Sequence, residues 1–402
     1  MERLIALLGL GVFVGFSYAI SVNRRAIRWR PVLWGLALQI AFALFILRTP
    51  VGLVVFQWLG NVVSSFLNYS DAGASFVFGE NFQDFFFAFK VLPTIIFFSA
   101  FITMLYHFGI LQGLVGLIAR VMVFTMRTSG SETLSAAGNI FVGQTEAPLL
   151  IKPYVESMTM SELHAVMTGG FATVSGGVLA AYISFGVPAE HLIAASVMSA
   201  PAALAISKIM MPEVEESPTK GEVKLDVERT SANAIDAIAN GTIAGLKLAL
   251  NVGAMIISFL ALLAAFNALL AFIGGLFGYP EFSLELILSY ALAPVAWLMG
   301  VPWSDCGAVA TLLGKKTIIN EFIAYLDLQA LIENDAISER SIIIATYALC
   351  GFANIGSIGI QIGGIGGIAP TRQGDLAKIG VRAMVGGTIA CFMTACIAGI
   401  LL

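Results

Sequence analysis

Charged residues and histidines are scarce in this sequence of 402 residues. Charged side chains make up 11% of it, against about 25% in an average soluble domain, and there are three histidines. The net charge of −4 argues against nucleic acid as a partner, and no Lys/Arg cluster resembles a groove for a polyanion. Four cysteines (Cys306, Cys350, Cys391 and Cys396) lie in apolar segments without metal-ligand spacing, so we expect buried free thiols.

Apolar residues, in contrast, fill 58% of the chain, and the mean hydropathy is +0.91. Several runs reach the ~20 residues that cross a ~30 Å hydrocarbon core. The sequence therefore predicts an all-α polytopic membrane protein with about eight transmembrane helices. We expect spans near 4–20, 31–47, 91–108, 160–185, 191–211, 231–277, 338–360 and 377–402, and interfacial helices near 51–69, 111–126 and 284–298.

The first span carries an acidic residue beside a basic one at its start and lacks a small-residue cleavage site, so we interpret it as a transmembrane helix rather than a signal peptide. A short loop after it contains Arg24, Arg25, Arg28 and Arg30. Short loops rich in arginine stay on the cytoplasmic side. The amino terminus is therefore predicted to face outward.

A charged stretch with two prolines, 212–230, divides the chain and is predicted to be an aqueous linker. The same order of segments occurs on both sides of it: long helix, interfacial helix, interrupted polar hairpin, glycine-broken span and final span. The predicted parts are 1–110 (spans and first interfacial helix, largely scaffold), 111–211 (first repeat with hairpin 1 and a broken helix), 212–230 (linker), 231–300 (long scaffold helix and interfacial helix) and 301–402 (second repeat with hairpin 2, a broken helix and the last span).

Short motifs support this internal repeat. GFATVSG, at 170–176, is similar to GFANIGS, at 351–357, and each follows a hairpin with an acidic residue, Glu146 or Glu321. Paired, polar-interrupted segments at corresponding positions of two halves indicate the midplane binding site of a transporter.

Hairpin 1 contains the stretch GNIFVGQTEAP. Thr145 is suited to cap a half-helix that begins near Glu146, with Pro148 in an early helical position. Ionisable groups at membrane depth are costly and rarely face lipid. Glu146 alone fits either a substrate acceptor or a solvated loop carboxylate, and its repeat partner Glu321 favours the substrate role.

Hairpin 2 contains TIINEFIAYL, in which Asn320 can cap a helix that starts at Glu321. Lys315 and Lys316 precede this cap and are near enough in sequence to be charge partners, but we expect them as a solvated pair at the aqueous mouth of the site. An intramembrane enzyme that uses the two glutamates as acid and base would need a nucleophile or metal set, and no such motif occurs.

The two glycine-broken spans place hydroxyls and amides beside freed backbone carbonyls. Thr173 and Ser175 lie in the first break, where no carboxylate accompanies them, so a monovalent cation fits better than a divalent one. Asn354, Ser357 and Gln361 lie in and after the second break. The later glycines, 363–367, are typical of close helix packing.

Three motifs, GQTEAPLLIKPY, NEFIAY and SERS with ATYALCGFANIGSIGI, occur in the order found in the concentrative nucleoside transporter family, which this chain resembles. The resemblance implies a homotrimer in which each protomer has a scaffold domain and an inverted-repeat transport domain with two re-entrant hairpins. It also implies elevator-type movement of the transport domain. The length resembles that of bacterial members, so we expect the bacterial cytoplasmic (inner) membrane.

The family's substrate residues carry over position by position. The resemblance implies nucleobase contacts from Gln144, Thr145 and Glu146 with Val178 packed nearby, ribose contacts from Glu321, Asn354 and Ser357, and Phe352 beside the nucleoside. The substrates would be uridine, adenosine and similar nucleosides.

A sodium ion is implied between the tip of hairpin 1 and the first broken helix. Its ligands would be the carbonyls of Asn139, Val142 and Val174, with the hydroxyl and carbonyl of Thr173. Proton-coupled nucleoside symport stays open as an alternative, as does symport of another polar solute on the same plan.

Overall fold

The computed structural model describes residues 1–221 and 231–402. The remaining part of the predicted linker, 222–230, lies outside the described residues. Regular structure within the described ranges is helical, with short 3₁₀ and π segments between α-helices. Eight helical segments in these two ranges are long and apolar enough to cross a membrane, which confirms the prediction of an all-α polytopic membrane protein.

The amino-terminal part contains six α-helices. The first two are spans, the third and fourth follow each other closely, and the fifth leads into a sixth of interfacial length. The segment 51–69, predicted to be interfacial, lies within Pro50–Phe78, which is long and apolar enough for a span. Arg30 donates to the carbonyl of Thr125 over 3.1 Å, which joins the arginine loop to the end of the sixth helix. The helices are α1 (Glu2–Ala19), α2 (Trp29–Arg48), α3 (Pro50–Leu67), α4 (Ser70–Phe78), α5 (Leu92–His107) and α6 (Ile110–Met126).

The first repeat begins with a hairpin of an α-helix and a 3₁₀ helix, Ala147–Ser157. An interrupted helix and a long helix follow. Its α-helices are α7 (Gly130–Gly138), α8 (Met160–Ala172), α9 (Gly176–Ser184) and α10 (Ala189–Met210). The interruption at GFATVSG is thus confirmed. Thr159 caps α8 in a capping box with Glu162, and the helix begins at Met160, where the predicted span begins.

One helix of 43 residues, α11 (Ala234–Leu276), connects the halves. Its length is about 65 Å at 1.5 Å per residue, twice a ~30 Å hydrocarbon core. Gly241 and Gly245 bring it against α5: a Cβ there would lie 2.7 Å from the Cα of Ala100 and 2.8 Å from that of Ile96. This small-residue spacing permits close backbone contact between membrane helices, so α5 and α11 form one packed pair.

The second repeat has the same order as the first. Its hairpin consists of two α-helices, its next span is interrupted, and a last long helix packs against α8, α10 and α15. Ser338 caps the first part of the broken span. The helices from the interfacial one onward are α12 (Leu284–Leu298), α13 (Cys306–Ile318), α14 (Glu321–Glu333), α15 (Glu339–Leu349), α16 (Ile355–Ile368) and α17 (Gln373–Leu401).

A buried ion pair holds the base of hairpin 1. The ammonium of Lys208, in α10, lies 2.5 Å from the carboxylate of Glu132, in α7, and both side chains are almost fully buried. Ser161 accepts from the same ammonium over 2.9 Å. Glu162 accepts from Ser217, which brings the first residues of the predicted linker onto this base. Hairpin 1, α8 and α10 are thus fastened together at one end.

Candidate substrate and cation site

The two interruptions of the broken helices lie next to each other. Residues 173–175 separate α8 from α9, and residues 350–354 separate α15 from α16. The backbone N–H of Phe352 donates to the carbonyl oxygen of Thr173 over 3.2 Å. Non-helical backbone at membrane depth needs partners from the protein, and here each break supplies one to the other.

Helix α17 meets the end of α8 at a glycine pair, Gly386 and Gly387. A Cβ on Gly387 would overlap Phe171, so only glycine permits this approach. One turn further on, the thiol of Cys391 donates to the carbonyl of Cys350 over 3.2 Å and lies 3.7 Å from the carbonyl of Ala172. All four cysteines are buried and free, as predicted. Cys391 therefore contacts the freed carbonyls of both repeats.

Hairpin 2 presents a buried carboxylate to the second break. Asn320 accepts from the N–H of Ile323 over 3.0 Å and caps α14, as predicted. Glu321, the first residue of that helix, is 5% exposed. Its two oxygens accept from the hydroxyl of Tyr182 and the amide of Asn354, each over 3.0 Å. The carboxylate thus joins hairpin 2 to both broken helices.

Hairpin 1 reaches the same region through an amide. The Gln144 side chain donates to the hydroxyl of Ser357 over 3.2 Å and accepts from Gln361 over 3.0 Å. Gln361 also donates to the carbonyl of Met167 over 3.1 Å. The side chain of Asn354 accepts from the N–H of Ser357 over 2.8 Å. One hydrogen-bond network therefore connects Gln144 with Glu321, and so connects the two hairpins.

The side chains of Thr145 and Glu146 take no part in the hydrogen bonds of this network. The helix after them is a 3₁₀ helix without a side-chain cap, so the prediction that Thr145 caps it was wrong. Thr145 instead packs on α16, where a Cβ on Gly364 would lie 2.8 Å from its methyl carbon. Glu146 is exposed and lines a cavity of about 690 Å³ bordered by α5 and α6. Among the described residues, no hydrogen bond joins it to Glu321.

Two apolar residues predicted to pack beside the substrate lie on the two broken helices. Val178, in α9, is 3% exposed. Phe352, in the second break, is partly buried and packs against the main hydrophobic core. The structure brings both to the region of the breaks.

The residues predicted to bind the cation lie where the tip of hairpin 1 meets the first break. The N–H of Gly176 donates to the carbonyl of Phe141 over 3.2 Å, which fixes this junction. Asn139 is 1% exposed, and neither polar atom of its side chain has a hydrogen-bond partner within the described residues. The Thr173 hydroxyl donates to the carbonyl of Gly169 over 2.9 Å, so its lone pairs stay free. Val142 and Val174 border the same junction.

The two lysines of hairpin 2 do not form a solvated pair. Lys315 pairs with Asp327 over 2.7 Å and with Glu285 over 3.2 Å. Lys316 is 1% exposed and donates to the carbonyl of Ala348 over 2.8 Å. The prediction of an aqueous mouth was therefore wrong for Lys316, because the interrupted end of α15 supplies a buried acceptor.

Comparison with known families decides the identity of this arrangement. A family model described as Na+ dependent nucleoside transporter C-terminus matches residues 191–399, its N-terminal counterpart matches 8–81, and a nucleoside recognition (Gate) model matches 88–189. The chain belongs to the Na+ dependent nucleoside transporter family. The resemblance to concentrative nucleoside transporters is thus confirmed, and the family is one of multi-pass membrane transporters rather than enzymes.

Curated relatives from animals share about half of the sequence. "Solute carrier family 28 member 3" is 50% identical in Eptatretus stoutii and 49% identical in Homo sapiens; the matches cover 100% of this chain and 61% and 60% of those relatives. "Sodium/nucleoside cotransporter 1" of Mus musculus is 48% identical over 100% of this chain and 64% of its own length. The chain thus spans less than two thirds of these relatives.

Solved structures of CNTnw have the same fold over their whole length. One in an inward-facing substrate-bound state is 39% identical, with a TM-score of 0.94 and coverage of 100% of this chain and 98% of that one. A CNTnw variant in an outward-facing state is also 39% identical, with a TM-score of 0.95 and the same coverage.

Proposed function

We propose that this protein is a secondary active transporter that imports nucleosides coupled to sodium. The observation that carries the proposal is the buried network from Gln144 through Ser357 and Asn354 to Glu321, which joins two hairpins and two interrupted helices. Family membership and relatives named as sodium/nucleoside cotransporters support it.

Glu321 has the acceptor capacity to bind ribose hydroxyls. An ionised carboxylate has about four lone-pair sites, and Tyr182 and Asn354 use two of them. The free sites can accept the ribose 2′- and 3′-hydroxyls, while Asn354 and Ser357 offer further polar contacts. A ligand without these hydroxyls leaves a buried acceptor unpaired, at a cost of ~1–3 kcal/mol.

On the nucleobase side we assign Gln144, Thr145 and Glu146, with Val178 packed against the base and Phe352 beside the nucleoside. The amide of Gln144 both donates and accepts, which suits the mixed pattern of a base edge. Glu146 lines the cavity next to α5 and α6, so it contacts a base that reaches that side of the hairpin tip.

The sodium ion binds, in this proposal, to the carbonyls of Asn139, Val142 and Val174 and to the hydroxyl and carbonyl of Thr173. The side-chain amide of Asn139 is buried without a hydrogen-bond partner among the described residues. Buried polar groups normally have a partner, which supports the proposal that a ligand binds at this junction. The set is neutral and oxygen-rich, which suits a monovalent cation. Since hairpin 1 contributes to both sites, ion binding would stabilise its substrate-binding arrangement, and this is thermodynamic coupling.

Alternating access follows an elevator mechanism in this proposal, with the hairpins, broken helices, α10 and α17 moving against a scaffold that includes the α5–α11 pair. CNTnw structures in inward- and outward-facing states support such a movement. We further propose a homotrimer in a bacterial cytoplasmic membrane. Cross-linking in membranes followed by mass analysis tests the trimer, and fractionation of the source cells tests the location.

The decisive experiment is uptake of labelled uridine and adenosine into proteoliposomes. An inward sodium gradient, an inward proton gradient and no gradient are compared, and we expect accumulation with sodium. Uptake driven by protons alone would contradict the sodium site and favour the proton-coupled alternative. No uptake under any gradient would contradict nucleoside transport itself and leave another polar solute as the substrate class.

A further inference from the structure

The side-chain amide of Gln144 is held by a second glutamine from another element. Gln361 lies one turn after Ser357 in α16, on the same helix face, and its side chain is fully buried. Its NH₂ group donates to the carbonyl of Met167 over 3.1 Å and to the side-chain oxygen of Gln144 over 3.0 Å. Gln144 in turn donates to the hydroxyl of Ser357 over 3.2 Å. Two residues of one helix therefore hold both ends of the Gln144 amide.

These partners permit only one orientation of each amide. A backbone carbonyl accepts hydrogen bonds and never donates them, so the atom of Gln361 that faces Met167 is its NH₂ nitrogen. Because this nitrogen also faces Gln144, the facing atom of Gln144 is its oxygen. The carbonyl oxygen of Gln361 has no partner among the described residues, so no described contact favours the reverse orientation. The Gln144 amide is therefore fixed with its oxygen toward Gln361 and its nitrogen toward Ser357.

The packing around the two amides is close. Gly170, in α8, lies beside both of them: a Cβ there would lie 2.8 Å from the side-chain nitrogen of Gln361 and 2.9 Å from the Cβ of Gln144. Gln144 itself is 7% exposed. A side chain enclosed in this way keeps the orientation of its amide as long as its hydrogen-bond partners are unchanged.

The repeat fold does not require an amide at position 361. When GFATVSG (170–176) is aligned with GFANIGS (351–357), position 361 corresponds to Ala180 of α9. Ala180 is fully buried as well. Gln361 thus places a polar group where the other repeat has a methyl group, which indicates a role toward Gln144 rather than in helix packing.

We propose that Gln361 is a positioning residue that determines nucleobase selectivity through Gln144. After its bonds to Gln361 and Ser357, the Gln144 amide keeps one N–H and one lone pair for a base. Because Gln361 fixes where each of them lies, it determines which order of donor and acceptor on the base edge the site favours. Gln361 does not touch the substrate. The inference rests on the base contact of Gln144 proposed above.

Uridine and cytidine test this order directly, since they share the ribose and have nearly the same size. Uridine presents an N–H and then a carbonyl at the base edge where cytidine presents an acceptor nitrogen and then an NH₂ group. Dissociation constants for both are measured on purified protein at saturating sodium, and their ratio is the result. Gln361→Met has a similar volume but no N–H, so the Gln144 amide becomes free to turn over. The ratio should shift by at least about threefold.

Gln361→Glu should reverse the order. Its carboxyl group can bond to the Met167 carbonyl only as the protonated acid, and its remaining lone pairs then accept from Gln144. The Gln144 amide must turn over, so the ratio should shift in the same direction as in Gln361→Met and further, by about tenfold. Gln329→Met is the matched control, because Gln329 donates to Glu333 on the exposed side of α14. Its ratio should stay within about 1.5-fold of that of the unaltered protein.

The outcomes separate this inference from the proposed function. Weaker binding of both ligands with an unchanged ratio in Gln361→Met and Gln361→Glu would show a purely structural role and overturn the inference, as would shifts in opposite directions. Failure of the unaltered protein to bind either nucleoside would instead contradict nucleoside transport. Should Gln361→Met fail to fold, which gel filtration of the purified protein reports, Gln361→Glu keeps the volume of the side chain and its ratio decides.

Discussion

Replacing Glu321 with glutamine tests the centre of the proposed substrate site with almost no change in volume. In the folded protein, the carboxylate accepts from Tyr182 and Asn354. Glutamine offers one acceptor oxygen and one NH₂ group. The NH₂ group either faces the donor amide of Asn354 or replaces an acceptor for ribose. In both cases a charge-assisted hydrogen bond is lost.

The expected magnitude follows from the number of ribose bonds. Two hydroxyls donating to a charged acceptor contribute ~1.5–3 kcal/mol each, and a neutral amide cannot accept both. The loss is therefore about 3 kcal/mol, which weakens uridine binding roughly 100-fold at ~1.4 kcal/mol per factor of ten. For 2′,3′-dideoxyuridine, which lacks both donors, we expect a loss below about tenfold.

The assay is displacement of labelled uridine from purified protein at saturating sodium, with both ligands measured on both proteins. Glu333→Gln is the matched control, since Glu333 is an exposed residue of the same helix and should leave binding unchanged. Equal losses for uridine and its dideoxy analogue would refute the assignment of Glu321 as the ribose acceptor.

Three further changes separate the other parts of the site. Thr173→Val removes one cation ligand and should raise the sodium concentration for half-maximal uridine uptake severalfold, with little change in uptake at saturating sodium; loss at saturation alone would contradict this. In Gly170→Val, the new Cβ would lie 2.9 Å from the Cβ of Gln144 and would displace that side chain. Uridine binding should therefore weaken in a protein that still folds, and unchanged binding would contradict the role of Gln144 in the network. Lys208→Met leaves Glu132 unpaired and should cost about 3–5 kcal/mol of stability, seen as a lower melting temperature that Glu132→Gln partly restores; a melting temperature that stays unchanged would contradict a structural role for the pair.

The helix breaks could be predicted from the sequence because their causes are local. Glycine runs interrupt an apolar helix, and Asn320 has a side chain that caps the next turn. The similarity of GFATVSG and GFANIGS further predicted that the two halves of the chain are repeats of one another. These features depend on residues within one or two turns, so both breaks and the second cap were correctly predicted.

The contacts that could not be predicted from the sequence are those between segments far apart in the chain. Tyr182 and Glu321 are 139 residues apart, and nothing near Tyr182 marks it as a partner for a carboxylate. We predicted from the sequence that Lys316 is exposed to solvent, because lysine is rarely buried. Its acceptor, the carbonyl of Ala348, lies 32 residues later in the chain, in the last turn of α15, which ends at Leu349. The cap at Thr145 failed because the following segment folds as a 3₁₀ helix.

The position of Cys391 limits how the two repeats can move. Its thiol contacts carbonyls that belong to different repeats. At Gly387, α17 lies so close to Phe171 of α8 that a Cβ would overlap that residue, so any residue with a side chain would clash there. If one break shifted against the other, both contacts and the bond between Phe352 and Thr173 would be lost. We therefore expect the ion and the nucleoside to travel as cargo of one rigid body, at a fixed separation throughout the transport cycle.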